Sequence, residues 1–323
     1  MSTKFPRLYK KRAKIAKALK SQSLLSFFYV ILGILKSHIV QLFLNLKYSY
    51  KDTSLPILPQ IHPVFDRPVT IIIPFRDNIH LLERCLNSIF DRTSYNNFNL
   101  ILINNRSVEA KTAKYLSSIK NDPLIRILDY DKSFNYSDMH NWAMNFVQTE
   151  NILLLNNDTE VITPNWLESL TAWIEQEKVG AVGALLLFPN GTVQHAGVGL
   201  YPEIACHLYE GESPNGDNKS SINQCRELYA VTGACMMTKR NLFEGVQGMD
   251  SANLPVNFND VDYCLKLRQR GYKIVFEPSV KLYHHESYTR GNAWTQITRY
   301  RSYKKEHRFF WKKWKKYIGD IVK

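Results

Sequence analysis

Residues 151–161 read NILLLNNDTEV, a short apolar run that ends in two asparagines and an aspartate. A run of this length bounded by polar residues is typical of a buried strand. Similar runs occur at 69–75 (VTIIIPF), 99–103 (NLILI) and 179–188 (VGAVGALLLF), and segments with helical spacing of apolar residues separate them. Strands that alternate with helices predict an α/β fold with a doubly wound, mostly parallel sheet.

Polar residues follow two of these predicted strands at the same edge of the sheet. Asn156 to Asp158 come after the fourth strand, and Asn104 to Ser107 come after the second. Ligands of open α/β sheets bind at this carboxyl edge. The chain carries neither GxGxxG after its first strand nor GxxxxGK[ST], so a glycine-rich loop does not hold phosphate here. A carboxylate at a strand end instead suits a divalent metal such as Mg²⁺ or Mn²⁺.

Charge is distributed unevenly along the chain. The formal net charge is +13 over 323 residues. Residues 1–51 carry eleven Lys or Arg and no acid, and residues 301–323 carry nine Lys or Arg against two acids. The remainder, 52–300, has a net charge of −5. A nucleic-acid-binding domain would carry positive charge on its folded body, so this distribution disfavours that class.

The termini favour contact with an anionic membrane surface. Residues 24–46 are strongly apolar, but Lys36 interrupts them, which favours an interfacial helix over a span or a helix packed on protein. Near the other end, Phe310, Trp314 and Tyr317 recur at helical spacing among lysines, as in a helix that lies on a membrane. The alternative is that this helix packs on the domain and its lysines face water.

These shifts in composition divide the chain into four segments. A linker with four prolines separates a basic, amphipathic start from the regular α/β pattern. The predicted segments are 1–53 (membrane-associating), 54–68 (linker), 69–291 (α/β domain) and 292–323 (basic amphipathic helical extension).

Short sequence patterns predict several helix ends and the state of the cysteines. Asp77 or Asn78 is a plausible N-cap of the first helix, and Thr163 with Pro164 opens the helix after the fourth strand. Gly271 is a plausible C-cap of the segment that begins near Asp260. Five widely spaced cysteines without a CxxC predict reduced core residues rather than disulfides or a zinc site.

Six ordered blocks of the sequence resemble family 2 glycosyltransferases, in the branch that builds bacterial O-antigens, capsules and rhamnose-containing glycans. The resemblance covers roughly residues 67–291. The blocks are VTIIIPFRDNIHLLERCLNSI, FNYSDMHNWA, LLLNNDTEVITPNWLESL, VGAVGALLLFPNGTVQHAGVGL, AVTGACMMTKRNLF and FNDVDYCLKLRQRGYKIVFEPSVKLYHHESYTRG. This resemblance implies a GT-A type fold and transfer of a sugar from a nucleoside diphosphate with inversion at the anomeric carbon.

The resemblance also implies a metal site and a base. Asp158, at the DxD position, would bind Mn²⁺ or Mg²⁺, and Asn156 stands where many members have an acid. In YHHES, His284 is the favoured further ligand and His285 the second choice. Asp260 matches the catalytic base of this inverting reaction, in which one carboxylate takes the proton of the acceptor hydroxyl.

The donor site implied by the resemblance is larger. Asn104 stands where the family often has an acid that contacts the base, which leaves the nucleotide base open. His195 faces the donor or fills a loop, and Asp262 is structural or faces the acceptor. The residues expected to bind the nucleotide sugar are Pro74, Phe75, Arg76, Asn104, Asn105, Asn135, Asn156, Asn157, Asp158, Thr232 and Gly233.

The sequence thus predicts a metal-dependent inverting glycosyltransferase, peripheral on the cytoplasmic side of a bacterial inner membrane. The expected partners are a nucleoside-diphosphate sugar, a glycolipid or polysaccharide acceptor and the anionic membrane surface, without nucleic acid. The donor expected from the resemblance is dTDP-rhamnose, and a UDP-hexose or UDP-N-acetylhexosamine is the alternative. Rival classes are a non-catalytic membrane scaffold and a basic nucleic-acid-binding protein.

Overall fold

The structure is a computed structural model that describes residues 56–59, 61, 66–285 and 297–321. The predicted membrane-associating segment 1–53, with its apolar stretch 24–46, lies outside the described residues. By its internal contacts the chain divides into two units. One consists of residues 53–289 with 306–323, and the other of residues 1–52 with 290–305. Everything below concerns the first unit, apart from the bounds of the C-terminal helix.

Twelve strands occur in the described part of the chain. In chain order they are β1 (Val69–Phe75), β2 (Phe98–Asn104), β3 (Ile125–Asp129), β4 (Asn151–Leu155), β5 (Thr159–Val161), β6 (Val179–Leu187), β7 (Val193–His195), β8 (Val198–Tyr201), β9 (Ile204–His207), β10 (Arg226–Leu228), β11 (Cys235–Lys239) and β12 (Lys273–His284).

The larger sheet is mixed, and its half from β3 to β4 is parallel. Its order is β10-β12-β6-β11-β4-β1-β2-β3, with β5 paired to β12 and β7 to β6. Strands β3, β2, β1 and β4 run parallel, and so do β6 and β12. Strand β11 is antiparallel to both β4 and β6. The α/β prediction is therefore confirmed, and the parallel edge brings the loops after β1, β2 and β4 together.

Helices cover the sheet. They are α1 (Ile79–Arg92), α2 (Ala110–Ile119), α3 (Tyr136–Ala143), α4 (Trp166–Ile174), α5 (Lys219–Ile222), α6 (Arg240–Gly245), α7 (Asn259–Gln269) and α8 (Ile297–Ile321). Ile71 and Ile73 of β1 pack in one apolar cluster with Leu82 of α1 and with Trp166 and Leu170 of α4. Helix α3 contacts β1 and β2, and α7 contacts β6 and β12.

Two predicted helix caps differ in the structure. Asn78 is the N-cap position of α1 without a side-chain cap bond. Asp77 instead accepts the N–H groups of Val108 and Glu109 at 2.9 Å each, so it caps the start of α2 in space rather than α1 in sequence. Helix α4 begins at Trp166 with Asn165 at its N-cap position. The Thr163 hydroxyl does not cap it, because it accepts the N–H of Lys281 at 3.1 Å and donates to the Ser279 carbonyl.

Other local predictions are confirmed. Gly271 has φ +82° just past the end of α7, as a C-terminal glycine should. All five cysteines are free, and Cys85, Cys235 and Cys264 are buried. Burial raises the pKa of the Cys85 thiol to about 12, which makes it an inert core residue.

The segments that flank the domain pack on it. In the predicted linker, Leu58 N–H donates to the Cys225 carbonyl at 3.0 Å, and Glu227 N–H donates to the Pro56 carbonyl at 3.1 Å. On α8, Phe310 and Trp314 are buried, at 0% and 2% exposure. These rings therefore do not lie in a membrane, and the alternative of a helix packed on the domain describes them.

The lysines on either side of Trp314, at 312, 313, 315 and 316, are exposed. Among the described residues, none of the helices has the length and apolar character that a membrane span requires.

Candidate active site

The loop after β4 and the end of β12 bring a carboxylate and an imidazole together. Strand β5 follows this loop and pairs with β12, which places His284 opposite Thr159. Asp158 Oδ1 lies 3.2 Å from His284 Nε2, and both side chains are largely buried. Asn156 Nδ2 lies 3.3 Å from the same Nε2. The predicted DxD position therefore faces the first of the two predicted histidines.

The second histidine lies in a different environment. Successive residues of an extended strand point to opposite sides, so His284 and His285 cannot share one site. His285 Nε2 lies 3.2 Å from Glu160 Oε2, and the guanidinium of Arg84 lies 3.4 Å from the same nitrogen. The backbone N–H of His285 donates to the Asp158 carbonyl at 2.8 Å, so His285 contacts the loop after β4 through its main chain.

Gln194 on β7 orients His284. Its Oε1 lies 3.2 Å from His284 Nδ1, so the ring carries its proton on Nδ1 and donates it to the amide oxygen. In this neutral tautomer His284 Nε2 is an acceptor atom, and both Asp158 Oδ1 and the side-chain amide of Asn156 approach it. Two acceptor atoms 3.2 Å apart fit a cation that both could bind, and metal-binding histidines characteristically donate their other N–H in this way.

Two backbone N–H groups hold the Asp260 carboxylate, and Tyr136 of α3 supports one of them. Its Oδ2 accepts the N–H of Gly233 at 3.0 Å, and its Oδ1 accepts the N–H of Val261 at 2.8 Å. Tyr136 donates its hydroxyl to the Gly233 carbonyl at 2.8 Å. A side chain at Gly233 would place its Cβ 3.0 Å from the Tyr136 hydroxyl, which explains why glycine occupies this close approach.

The turn that contains Gly233 connects the two clusters. The N–H of Asn156 donates to the Ala234 carbonyl at 3.0 Å, next to the residue that binds Asp260. The predicted metal loop and the predicted base are therefore attached to the same short turn between β10 and β11.

A pair of histidines supports this turn from the other side. His195 Nε2 accepts the N–H of Thr232 at 3.3 Å, and its Nδ1 lies 2.6 Å from Nδ1 of His207. Burial, followed by the charge of His207, holds the pKa of His195 well below its usual range. A neutral His195 can accept from Thr232, so it positions the turn.

Two asparagines at the end of β2 organise this edge of the sheet. Asn104 donates to Asp129 Oδ1 at 2.8 Å and accepts the N–H of Ser107 at 3.2 Å, which closes its own turn. Asn105 is 1% exposed and donates to the carbonyls of Tyr130 and Lys132. These amides tie the loop after β2 to the loop after β3.

The remaining predicted donor residues lie at three places. Pro74 and Phe75 are buried at the end of β1, and Arg76 is exposed directly after them. Asn135 is the N-cap of α3, where it accepts the N–H of Asp138, and it donates to the Ser251 carbonyl at 2.9 Å. Asn157 is largely buried beside Asp158.

Two features of the site were not identified from the sequence. Gln194 was not a candidate because its partner His284 is 90 positions away, and a single glutamine in a short strand carries no recognisable signal. The choice between roles for Asp262 was left open. In the structure Asp262 is fully buried and accepts the indole N–H of Trp314 at 2.7 Å, so its role is structural.

The chain matches curated proteins over part of their length. It is 40% identical over 252 residues to the uncharacterized protein y4gI of Sinorhizobium fredii, covering 76% of this chain and 27% of that protein. It is 37% identical over 237 residues to the O-antigen biosynthesis protein RfbC of Myxococcus xanthus, covering 71% of this chain and 18% of that protein. The chain therefore spans only about a quarter or less of these relatives.

Solved structures share the fold at low sequence identity. The structure of GalNAc-T7 with UDP, GalNAc and Mn²⁺ superposes with a TM-score of 0.58 at 16% identity, covering 68% of this chain and 44% of that one. The mannosyltransferase PcManGT of Pyrobaculum calidifontis, in complex with GDP-Man and Mn²⁺, gives 0.56 at 16% identity, covering 91% and 74%. The fold is thus of the GT-A type.

The sequence model of glycosyl transferase family 2 matches residues 70–246, more than half of the chain, and the chain belongs to that family.

Proposed function

We propose that the protein is an inverting, divalent-metal-dependent glycosyltransferase that moves a sugar from a nucleoside diphosphate to a lipid-linked or polysaccharide acceptor. One observation carries this proposal. The Asp158–His284 pair and the Asp260 carboxylate are attached to a single turn at the carboxyl edge of the sheet. A metal-holding pair and a base at one edge are the two elements that an inverting transfer requires.

Asp158 and His284 would hold Mn²⁺ or Mg²⁺, with Gln194 keeping the imidazole in the correct orientation. Among the described residues, no three His, Cys, Asp or Glu side chains group as a metal site. The ion would therefore need further oxygen ligands, and the donor diphosphate can supply them. When bound, it stabilises the charge that develops on the leaving diphosphate.

Asp260 would take the proton of the attacking acceptor hydroxyl. Each of its carboxylate oxygens accepts one backbone N–H, which fixes the orientation of the group. A carboxylate oxygen can accept more than one hydrogen bond, so capacity remains for the acceptor hydroxyl. Because the transfer is a single displacement, no protein nucleophile is needed.

For the donor and acceptor, dTDP-rhamnose and a membrane-bound surface glycan are our proposal. The resemblance to the branch that builds rhamnose-containing glycans supports the donor, and the likeness to an O-antigen biosynthesis protein supports the acceptor class.

The basic segment 1–51 and the exposed lysines of α8 would hold the protein at the anionic cytoplasmic surface of the membrane. Equal sedimentation of the full chain with phosphatidylglycerol vesicles and with neutral vesicles would refute this membrane attachment.

The experiment measures nucleoside diphosphate release from a panel of dTDP-rhamnose, UDP-glucose, UDP-N-acetylglucosamine and GDP-mannose, with and without an acceptor glycan extract. We expect one donor to be turned over with Mn²⁺ or Mg²⁺, excess chelator to abolish turnover, and either ion to restore it. Full activity in excess chelator would remove the metal from the mechanism. No turnover of any donor, with intact fold by circular dichroism, would contradict the proposed enzyme activity.

A further inference from the structure

The C-terminal helix binds the backbone that leads into the proposed base. Glu306 on α8 is 1% exposed. Its Oε2 accepts the N–H of Val256 at 3.0 Å and the N–H of Asn257 at 2.6 Å, and its Oε1 accepts the side-chain amide of Asn257 at 3.0 Å. A buried carboxylate that accepts three N–H groups holds this backbone firmly, because hydrogen bonds to a charged acceptor are the stronger kind.

The same helix holds the next residue in an unusual conformation. Phe258 has φ +61°, a left-handed conformation that phenylalanine adopts only where its surroundings enforce it. Its ring stacks on Phe310, with centroids 5.1 Å apart and planes at 22°, and it meets His307 edge-on at 5.7 Å. Phe258 is the N-cap position of α7, so this contact sets where the helix that carries Asp260 begins.

A third contact lies on the far side of the base. Asp262 is fully buried, and its Oδ1 accepts from Trp314 Nε1 at 2.7 Å and from Lys313 Nζ at 2.6 Å. Contacts from α8 therefore lie both before and after Asp260, within the seven residues 256–262. Within the described part of the chain, the Asp260 carboxylate accepts one N–H from Gly233 and one from Val261, so the position of this segment decides where it points.

We propose that Glu306 is a positioning residue for catalysis: it holds residues 256–258 so that α7 presents Asp260 to the acceptor hydroxyl. This inference rests on the proposed function, in which Asp260 is the base. It assigns part of the catalytic geometry to a helix that the sequence presented as a membrane-binding extension. The donor site at the ends of β1, β2 and β4 does not depend on this contact.

The test is Glu306→Gln in the full chain, which keeps the size of the side chain and removes the charge. We expect kcat for nucleoside diphosphate release from the donor found in the panel to fall roughly 10- to 100-fold, because a small misplacement of a catalytic group has effects of this size. The KM for that donor should change by less than about threefold. Hydrogen exchange at the Val256 and Asn257 amides should become faster.

The matched control is Tyr229→Phe. Tyr229 donates its hydroxyl to the Ile321 carbonyl at 2.7 Å, so this variant also removes one hydrogen bond of α8, but at its far end. It should lower the melting temperature without changing kcat. A purely structural role for Glu306 predicts equal kcat in the two variants once their melting temperatures are compared, and that result would overturn the inference.

Further variants keep the test decisive. Glu306→Asp retains the charge and should give a kcat between wild type and Glu306→Gln. If Glu306→Gln does not fold, Phe310→Leu weakens the contact with Phe258 and should lower kcat severalfold; an unchanged kcat would refute the inference.

Asp260→Asn, measured alongside, separates the proposed function from the positioning role of Glu306. If it remains active, the proposed function fails. If it is inactive while Glu306→Gln is normal, only this inference fails.

Discussion

The two halves of the candidate site are built in different ways. At the proposed nucleotide edge, the loops after β1, β2 and β3 contact one another as neighbours in a parallel sheet, as the Asn105 N–H does with the Phe75 carbonyl at 2.9 Å. In the catalytic half, the contacts join distant segments: Asn156 and His284 are 128 positions apart, and Asn257 and Glu306 are 49 apart.

The difference shows where single substitutions should matter most. Strand order brings the loops of the proposed nucleotide half together, and several backbone and side-chain bonds share the task. In the catalytic half, each functional group depends on one or two long-range side-chain bonds. We therefore expect large effects on turnover from the catalytic half and mainly effects on stability from residues that only support the sheet.

The sharpest contrast is between adjacent histidines. His284→Ala should lower metal-dependent turnover by on the order of 10²-fold or more, since losing even an outer partner of a metal ligand costs about 10- to 100-fold. His285→Ala should stay within about threefold of wild type, because its ring pairs with Glu160 instead of Asp158. Rates across an Mn²⁺ titration decide this, and equal losses in both variants would contradict the assignment of His284.

A smaller effect is expected at the turn that joins the two clusters. Gly233→Ala places a Cβ 3.0 Å from the Tyr136 hydroxyl and 3.6 Å from the Cβ of Asp260. We expect kcat to fall about tenfold, because the turn must shift and its N–H orients the base.

Adding Tyr136→Phe removes the nearest atom and should restore part of the rate, while Tyr136→Phe alone serves as the control. Normal kcat in Gly233→Ala, or no relief in the double variant, would show that this turn does not position Asp260.

The smallest effect on turnover is expected at His140, which supports the fold: its substitution should leave turnover at neutral pH unchanged. His140 on α3 is fully buried, and burial lowers its pKa to about 4. The unfolded chain therefore binds this proton near pH 6.5 and the folded chain only near pH 4, so stability falls as the pH falls through that window. Between pH 7 and pH 5 the loss from this group is about 2 kcal/mol.

His140→Gln should reduce this loss, because glutamine does not titrate and can still donate to the Tyr136 carbonyl. Urea unfolding at both pH values measures it, with kcat at pH 7 as the control. Identical losses in the two proteins would show that His140 does not contribute to the acid sensitivity.

The part of the site that could be predicted from the sequence is mostly the half formed by the sheet edge. Apolar runs with polar ends predicted β1, β2, β4 and the polar loops at their carboxyl edge, because strand burial leaves a local signal. Asp77 shows the limit of such local signals. Its place just before α1 predicted a cap of that helix, but in the folded sheet it accepts an N–H at the start of α2. The partnership of Gln194 with His284 and that of Glu306 with Asn257 could not be predicted, because single polar residues far apart in sequence carry no periodic signal.

For a related reason, the sequence left two interpretations of the aromatic residues in the C-terminal helix. Aromatic residues at helical spacing among lysines fit a membrane surface and a protein groove equally well, because both bury one apolar face. Phe310 and Trp314 are buried in the protein, so for these two rings the protein groove is the correct interpretation.

The most direct test of the central claim separates the metal-holding pair from the base. Donor binding is measured by calorimetry, with and without Mn²⁺, for the wild type, Asp158→Asn and Asp260→Asn, together with turnover of the same donor. We predict that Asp260→Asn binds the donor like the wild type but loses about 10²- to 10⁴-fold in turnover. Asp158→Asn should lose the Mn²⁺-dependent part of donor binding. Normal Mn²⁺-dependent binding by Asp158→Asn, or near-normal turnover by Asp260→Asn, would contradict the account.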